Sequence, residues 1–305
     1  MERASSHQGK IRTGAIRIAV ALVIAALIIL GLYFRNDIVG VDSVPKIMAQ
    51  KMELLSALRI NLLKSVELEK SAVMADTDEA SIAFAEESLK AAEAGDSKLA
   101  ELARLMEKHS SGKEKDLLDE FDACWAEFRR VDRQVLDFAV QNTNLKAARL
   151  SFGAGSGAMR QLEKELARLV RDTPEGPICR LVLDAQTAAL RINVVHAPHI
   201  ASPDDAEMDG IEKFIHENDA MVRRSLGEIR ALLPSEKMGI LLQAEASYDA
   251  FMEITARVLH LSRQNTNIKS FELSLNRKGK ITAQCDTILK NLQDAVQSRA
   301  FRATR

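Results

Sequence analysis

The chain has 305 residues, of which 47% are apolar, 28% are charged and only 4% are aromatic, and its formal net charge is −1. Few aromatic residues and only six prolines favour long helices, with cores of Leu, Ala, Ile and Val, over a β-sheet fold or a disordered chain. The near-zero charge excludes a strong positive field around the whole molecule, so we expect no nucleic-acid partner.

An uncharged apolar run occupies residues 18–34. At about 1.5 Å per residue it nearly crosses the hydrocarbon core of a bilayer, and it predicts a transmembrane anchor within residues 1–36. Four basic residues precede it: Arg3, Lys10, Arg12 and Arg17. Because positive charge favours the cytoplasmic side, we expect a cytoplasmic N-terminus and a periplasmic remainder at the inner membrane. The alternative is a cleaved signal peptide, although no small-x-small cleavage site follows the run.

A repeated hexapeptide organises the rest of the chain. QNTNLK at 141–146 returns as QNTNIK at 264–269, and neighbouring residues share the offset of roughly 123. Trp125, Phe128, Val135 and Leu150 thereby fall opposite Tyr248, Phe251, Val258 and Leu273. LRIN at 58–61 likewise returns at 190–193. A register shared over this length indicates an internal duplication.

Apolar residues spaced by three and four predict amphipathic helices in both copies. In the first copy these run over about 46–75, onward to about 109, then 113–152 and 159–171; in the second, a helix to about 233 is followed by 235–275 and 280–302. GAGSG at 153–157 predicts a reversal of the chain, and the Pro- and Gly-rich segment at 173–177 a boundary. We therefore expect an all-α protein with two tandem antiparallel four-helix bundles and long coiled-coil-like helices, in modules 43–173 and 178–302.

Four asparagines fall on the predicted core stripes, and they are Asn61, Asn142, Asn193 and Asn265. A polar group facing a bundle core costs stability unless it is hydrogen-bonded, and its usual benefit is a fixed register. Because both copies carry the layer, we interpret it as structural; a ligand site is the alternative.

Two arginines, Arg59 and Arg191, lie beside the first-helix asparagines of the two copies. A guanidinium there can clamp a carboxylate ligand with two hydrogen bonds, or be buried by dimer contacts. The other interpretation is a solvated flank whose stem lies along the bundle.

Histidines and carboxylates cluster in one segment, at His196, His199, Asp204, Asp205 and His216. The spacing permits a metal site, but Pro198 and Pro203 indicate a helix end, and we expect no metal. No phosphate-binding glycine loop and no catalytic pairing is recognisable, so we expect neither a cofactor nor an enzyme.

The three cysteines, Cys124, Cys179 and Cys285, are widely spaced and odd in number, in a compartment that would permit disulfides. Cys124 falls on the apolar stripe, and we expect it to be a small buried hydrophobe.

The segment at 57–80, ALRINLLKSVELEKSAVMADTDEA, resembles the first helix of the four-helix-bundle sensory domain of methyl-accepting chemotaxis proteins and related bacterial sensor kinases. The residues that carry this resemblance are the run at 59–63, Glu69-Lys70 and the turn at 76–78. The stretch with Trp125, Val135-Leu136 and Asn142 to Asn144 is similar to the third helix of that family. The duplication resembles the helical bimodular sensors, which stack two such bundles.

This resemblance implies a periplasmic, homodimeric ligand-sensing domain that signals by helix movement through a second transmembrane helix into HAMP and kinase-control modules. Ligands in the family are often small organic acids or amino acids held by an arginine near the first helix, which implies Arg59 or Arg191. No second apolar run follows here, so we expect a detached receptor half or a protein acting through a separate signalling partner. The alternative is an anchored helical spacer or adaptor without a small-molecule ligand.

Overall fold

The computed structural model describes residues 46–171 and 176–303, without the side chains of 299–303. The predicted anchor at 18–34 lies outside these ranges. Within them, no helix combines the length and hydropathy that a membrane span requires. Every regular element in the same ranges is helical, which confirms the all-α class.

The described helices agree closely with the predicted ones at most of their ends. In chain order they are α1 (46–74), α2 (Asp78–His109), α3 (Gly112–Ala139), α4 (Thr143–Leu150), α5 (Ser156–Val170), α6 (Pro177–Val194), α7 (His196–Ala201), α8 (Asp205–Leu232), α9 (Met238–Gln264), α10 (Thr266–Leu273) and α11 (Gly279–Ala303). Two π-helical turns join them, π1 (Ser151–Gly155) and π2 (Ser274–Lys278), together with a short 3₁₀ turn, Ser235–Lys237.

Local chemistry explains several of these ends. Pro177 begins α6 directly after Gly176, whose φ of 123° is accessible to glycine and to few other residues. Asp204 caps α8, because its carboxylate accepts the backbone N–H groups of Ala206 and Glu207 at 2.7 and 3.1 Å.

The predicted helices over 113–152 and 235–275 are each interrupted at the repeated asparagine. Asn142 and Asn265 take left-handed backbone conformations, with φ values of 50° and 57°. Asparagine is one of the few residues besides glycine that enters this region routinely. These two asparagines therefore mark a break in the helix, and the predicted continuous stripe through them is wrong.

GAGSG does not form the predicted loop. Residues 151–155 form π1, and the backbone stays helical from Leu150 (φ −64°, ψ −47°) to Ser156 (φ −63°, ψ −29°). A π turn absorbs an extra residue without ending the helix. The same holds in the second copy, where π2 (274–278) fills the gap between the predicted helices over 235–275 and 280–302. α4, π1 and α5 consequently run on as one helical rod, as do α10, π2 and α11.

Gly155 serves packing in this rod. A Cβ at this position would lie 3.3 Å from the Leu150 carbonyl oxygen and 3.5 Å from Ile254 Cγ2, whereas at Gly153 nothing lies within 4 Å. We expect Gly155→Ala to destabilise the protein by about 1–2 kcal/mol, because the backbone oxygen cannot move aside. Gly153→Ala, the control in the same turn, should be neutral or stabilising by up to about 1 kcal/mol. Chemical denaturation of both variants checks this, and equal effects would contradict the packing explanation.

The chain divides into two compact units. Within the described residues, unit 1 draws on 46–61, Ala94–Ala123 and 285–303, and unit 2 comprises Leu62–Glu93, 124–171 and 176–284. These boundaries differ from the predicted modules 43–173 and 178–302.

Unit 2 contains a four-helix bundle that combines both copies. α6 packs against α5 and α8, and α9 packs against α5 and α8, which closes a ring of four helices. The shared core is built from Met159, Leu162, Leu166, Leu169, Val182, Ala185, Ala188, Ala189, Ile192, Ile215, Val222, Leu226, Ile229, Leu241, Ala244, Tyr248 and Phe251. The fourth helix of the first copy, α5, thus packs among helices of the second, because the rod continues at π1 where a reversal was predicted.

Within unit 1 a buried ion pair joins α1 to the α2–α3 turn. The Lys51 ammonium donates to Glu114 Oε2 at 2.6 Å and to the His109 carbonyl oxygen at 2.7 Å. Both side chains are buried.

The cysteines differ from expectation. Cys124 and Cys285 are both disulfide-bonded, and Cys179 is a free thiol. The prediction of Cys124 as a simple buried hydrophobe is wrong. Both bonded residues are buried, so an apolar stripe cannot distinguish a buried thiol from half of a disulfide.

Candidate functional site

The repeated QNTN motifs meet each other in unit 2, and we call Asn142–Asn144 and Asn265–Asn267 the crossover. The Thr143 N–H donates to Thr266 Oγ1 at 3.1 Å, and the Thr266 N–H donates to Thr143 Oγ1 at 3.2 Å. In the same reciprocal way, the backbone N–H of Asn144 donates to Asn267 Oδ1 at 3.1 Å, and the backbone N–H of Asn267 donates to Asn144 Oδ1 at 3.3 Å. The first amides of a helix lack partners within it. Here each copy caps the helix of the other.

The asparagine side chains extend this network to both helix hairpins. Asn142 Nδ2 donates to Asp78 Oδ1 at 3.1 Å, and Asn265 Nδ2 donates to the Ser202 carbonyl oxygen at 2.9 Å. Their own oxygens accept from Asn267 and Asn144 at 2.9 and 2.7 Å. The side-chain amides of Asn142 and Asn265 are therefore satisfied within the protein, and their arrangement is that of a structural joint.

Three charged side chains form a buried group in unit 2, and we call Glu69, Asp132 and Lys278 the ion cluster. The Lys278 ammonium donates to Glu69 Oε2 at 2.9 Å and to Asp132 Oδ1, and lies 5.0 Å from the Phe128 ring centroid. All three charged residues are buried. Glu69 Oε1 and Asp132 Oδ2 have no hydrogen-bond partner in the described part of the chain. The cluster carries one more negative than positive charge, which is costly in a protein interior.

The ion cluster draws on both copies, but it has no counterpart at the equivalent positions of the repeat. At the offset of 123 the residues opposite Asp132 and Lys278 are Thr255 and Gly155, while Phe128 faces Phe251. The duplicated helical framework therefore accommodates charged side chains at one group of these positions and uncharged residues at the equivalent group. Sequence analysis missed this cluster, because its members come from three distant segments.

Two buried histidines, His196 and His199, form the histidine pair on α7. His199 Nδ1 lies 2.8 Å from Ser262 Oγ, and its Nε2 lies 3.0 Å from Glu212 Oε1. Arg263 Nε donates to the same Glu212 oxygen at 2.7 Å. This hydrogen bond is the main reason why the pKa of Glu212 lies below its usual value. Glu212 is therefore ionised at neutral pH.

His196 has a different environment. Its Nδ1 lies 3.0 Å from Ser151 Oγ of π1, and its ring stacks on Phe251 with 5.8 Å between centroids. Nε2 is buried without a partner among the described residues. Burial, and secondly the charge of His199, lower the pKa of His196 to about 4. At neutral pH the ring is uncharged.

The histidines and carboxylates whose spacing would permit a metal site do not converge. Asp204 caps α8, Asp205 lies 3.5 Å from Arg263, and His216 is exposed. Among the described residues no group of three or more His, Cys, Asp or Glu side chains is arranged to hold a metal ion.

The two predicted ligand-binding arginines occupy different environments. Arg59 binds Asp286 with both ends of its guanidinium, at 2.7 and 3.0 Å, and Arg191 is exposed. The LRIN motifs themselves bury opposite faces, since Leu58 and Ile192 are fully buried whereas Ile60 and Leu190 are 64% and 43% exposed. The two motifs are therefore not structurally equivalent.

The asparagines of the two LRIN motifs differ from those at the crossover in burial and in hydrogen bonding. Asn61 and Asn193 are both half-buried. Asn193 Oδ1 has no partner within the described ranges.

Two surface grooves lie within unit 1. The larger, about 700 Å³, runs between α3 and α11 and is lined by Ser111, Lys113, Leu117, Asn291, Asp294, Ala295 and Ser298. The smaller, about 370 Å³, lies between α1 and α2 and is lined by Gln50, Glu53, Leu54, Ala57, Lys98, Glu101 and Leu105. Neither includes Arg59 or Arg191.

Comparison with solved structures gives one informative similarity. The sensor domain of the histidine kinase TorS from V. parahaemolyticus matches with a TM-score of 0.53 and 11% identity, over 84% of this chain and 99% of that domain. The chain shares its fold with that domain. No family model matches the sequence, and no curated protein does. The similarity agrees with the predicted all-helical architecture.

Proposed function

We propose that this chain is the extracytoplasmic sensory domain of a membrane-anchored bacterial signal-transduction protein of the chemoreceptor or sensor-kinase type. The observation that carries the proposal is the similarity to the TorS sensor domain, which extends over 99% of that domain. The apolar run at 18–34 supports an anchor. Disulfide-bonded Cys124 and Cys285 support a location outside the cytoplasm, because structural disulfides persist mainly in oxidising compartments.

The proposed form is a homodimer. Within unit 2, large apolar side chains on α1 remain uncovered at Leu63 and Met74, which are 49% and 73% exposed. Exposed apolar residues in a row on one helix are typical of a surface that another protein covers. A separate signalling or receptor protein is the other candidate for this surface.

The proposed ligand is a small organic acid or an amino acid whose carboxylate binds Arg59. Asp286 already supplies the carboxylate that a guanidinium binds well. An acid ligand would therefore take the place of Asp286. The competing function, an anchored spacer or adaptor, involves no such exchange.

Asp286→Asn is expected to strengthen ligand binding, while Arg59→Ala should abolish it. Arg59 and Asp286 are half-buried at the surface, and an ion pair at a protein surface is worth about 0.2–1 kcal/mol. Removing the competing carboxylate should therefore lower Kd roughly 1.4- to 5-fold. Thermal-shift screening of the full chain against organic and amino acids, followed by calorimetric titration of any compound found, measures this. Arg191→Ala is the matched control and should leave binding unchanged.

Three outcomes separate the alternatives. Loss of binding in Arg191→Ala alone would move the site to the second copy. Binding that survives Arg59→Ala would show that Arg59 does not hold the carboxylate of the ligand. No response to any compound, with dimerisation intact, would favour the spacer or adaptor.

A further inference from the structure

The histidine pair lies where a short helix holds several parts of unit 2 together. α7 follows α6 after a single residue and leads into the segment that begins α8. His196 contacts Ser151 of π1 and Phe251 of α9, and His199 contacts Ser262 of α9. Directly after the pair, the carbonyl groups of Ile200 and Ser202 accept from the crossover. The pair therefore fixes the element on which one half of the crossover is anchored.

The hydrogen-bond geometry assigns the proton on His199 Nδ1. Ser262 Oγ donates its own proton to the His199 carbonyl oxygen at 2.8 Å, so it can only accept from Nδ1, which lies 2.8 Å away. Nε2 lies 3.0 Å from Glu212 Oε1. His199 is therefore held between Ser262 and Glu212.

No anionic group is placed to receive a charge on His196. Its Nδ1 partner is a neutral hydroxyl, its ring partner is Phe251, and Nε2 has no partner within the described residues. Glu212 of α8 and Arg263 of α9 bond to each other and, through Glu212, to His199.

The charged residues of α4, which also packs on α7, are engaged elsewhere. Lys146 pairs with Asp78, and Arg149 donates to the Asp76 carbonyl oxygen. Arg191, near the end of α6, is exposed.

We propose that the histidine pair is a proton-responsive latch: a proton taken up at His196 creates a buried positive charge without an anionic partner among the described residues and releases α7 from π1 and from the crossover. This rests on the proposed sensory function and names acid as a stimulus. A buried charge without a counter-ion is strongly disfavoured in a protein interior. Release hydrates the charged ring of His196.

The direction of the pH dependence follows from linkage. The pKa of His196 is lowered from 6.5 to about 4 in the folded protein. The docked state is therefore favoured fully above about pH 6.5, and the advantage is lost as the pH falls towards 4. Between pH 7 and pH 5 the equilibrium constant for opening should rise roughly 20-fold.

Amide hydrogen exchange of the full chain in detergent micelles tests the latch, with rates corrected for intrinsic pH dependence. Between pH 7 and pH 5, the amides of α7 should lose protection roughly 20-fold, while those of α1–α3 change little. His196→Asn, which keeps a polar group for Ser151 but does not titrate, should abolish the change. His260→Asn, at an exposed histidine, should retain it.

A pH response that persists in His196→Asn would overturn the latch, as would a loss of protection spread evenly over all helices. If His196→Asn does not fold, NMR of the wild-type imidazoles decides: the His196 titration must coincide with the loss of α7 protection. The ligand tests at Arg59 are independent, because Arg59 belongs to unit 1 and the latch to unit 2. Failure of one leaves the other standing.

Discussion

Asn265→Ala is expected to destabilise the protein by about 3 kcal/mol. Alanine pays about 1–2 kcal/mol to adopt the left-handed conformation that Asn265 holds at φ 57°. The change also leaves the buried Ser202 carbonyl without its donor, and an unsatisfied buried group costs about 1–3 kcal/mol. Chemical denaturation of the full chain, followed by circular dichroism, measures the loss.

Asn265→Gly separates the two contributions. Glycine adopts the left-handed conformation freely, so only the hydrogen-bond contribution should remain, and the loss should be about 1–2 kcal/mol smaller than for alanine. The equivalent pair Asn142→Ala and Asn142→Gly should show the same order, because Asn142 has φ 50° and donates to Asp78. Equal losses for alanine and glycine would show that the backbone conformation contributes nothing.

The sequence predicts which residues are helical better than it predicts which helices pack against each other. A stripe of apolar residues spaced by three and four shows that α5 is amphipathic, but it carries no information on which helices cover that stripe. The glycines of GAGSG predict a loop, because glycine is common in turns. At Gly155 the small residue instead permits close approach to Ile254, and this requirement involves a residue roughly 100 positions away.

The repeated sequence likewise reveals the duplication but not which residues of the two copies contact each other. Because QNTN occurs in both copies, the sequence favours a structural role for it. Its partner is the other QNTN motif, which a single stripe cannot reveal. In the sequence, the ion cluster is marked by a mismatch between the two copies. Lys278 aligns with Gly155, and Asp132 aligns with Thr255. A charged residue in one copy opposite a small one in the other marks where the two halves have diverged.

Lys278→Met should cost about 3–5 kcal/mol. Methionine approximates the length of the lysine stem but leaves Glu69 and Asp132 buried without their cation. Removing one partner from a buried ion pair typically has this effect, because the remaining charge is uncompensated. Denaturant unfolding of the full chain provides the measurement.

The triple variant Lys278→Met, Glu69→Met, Asp132→Leu should recover most of that loss. It replaces all three charged side chains by apolar ones of similar shape, and buried ion groups replaced by well-packed apolar residues are often no less stable than the original. Arg277→Met is the matched control from the neighbouring position: its pair with Glu127 is exposed, so it should cost less than about 1 kcal/mol. A triple variant as unstable as Lys278→Met would mean that the loss arises from the lysine stem packed near Phe128. The charges would then contribute little to the stability of this group.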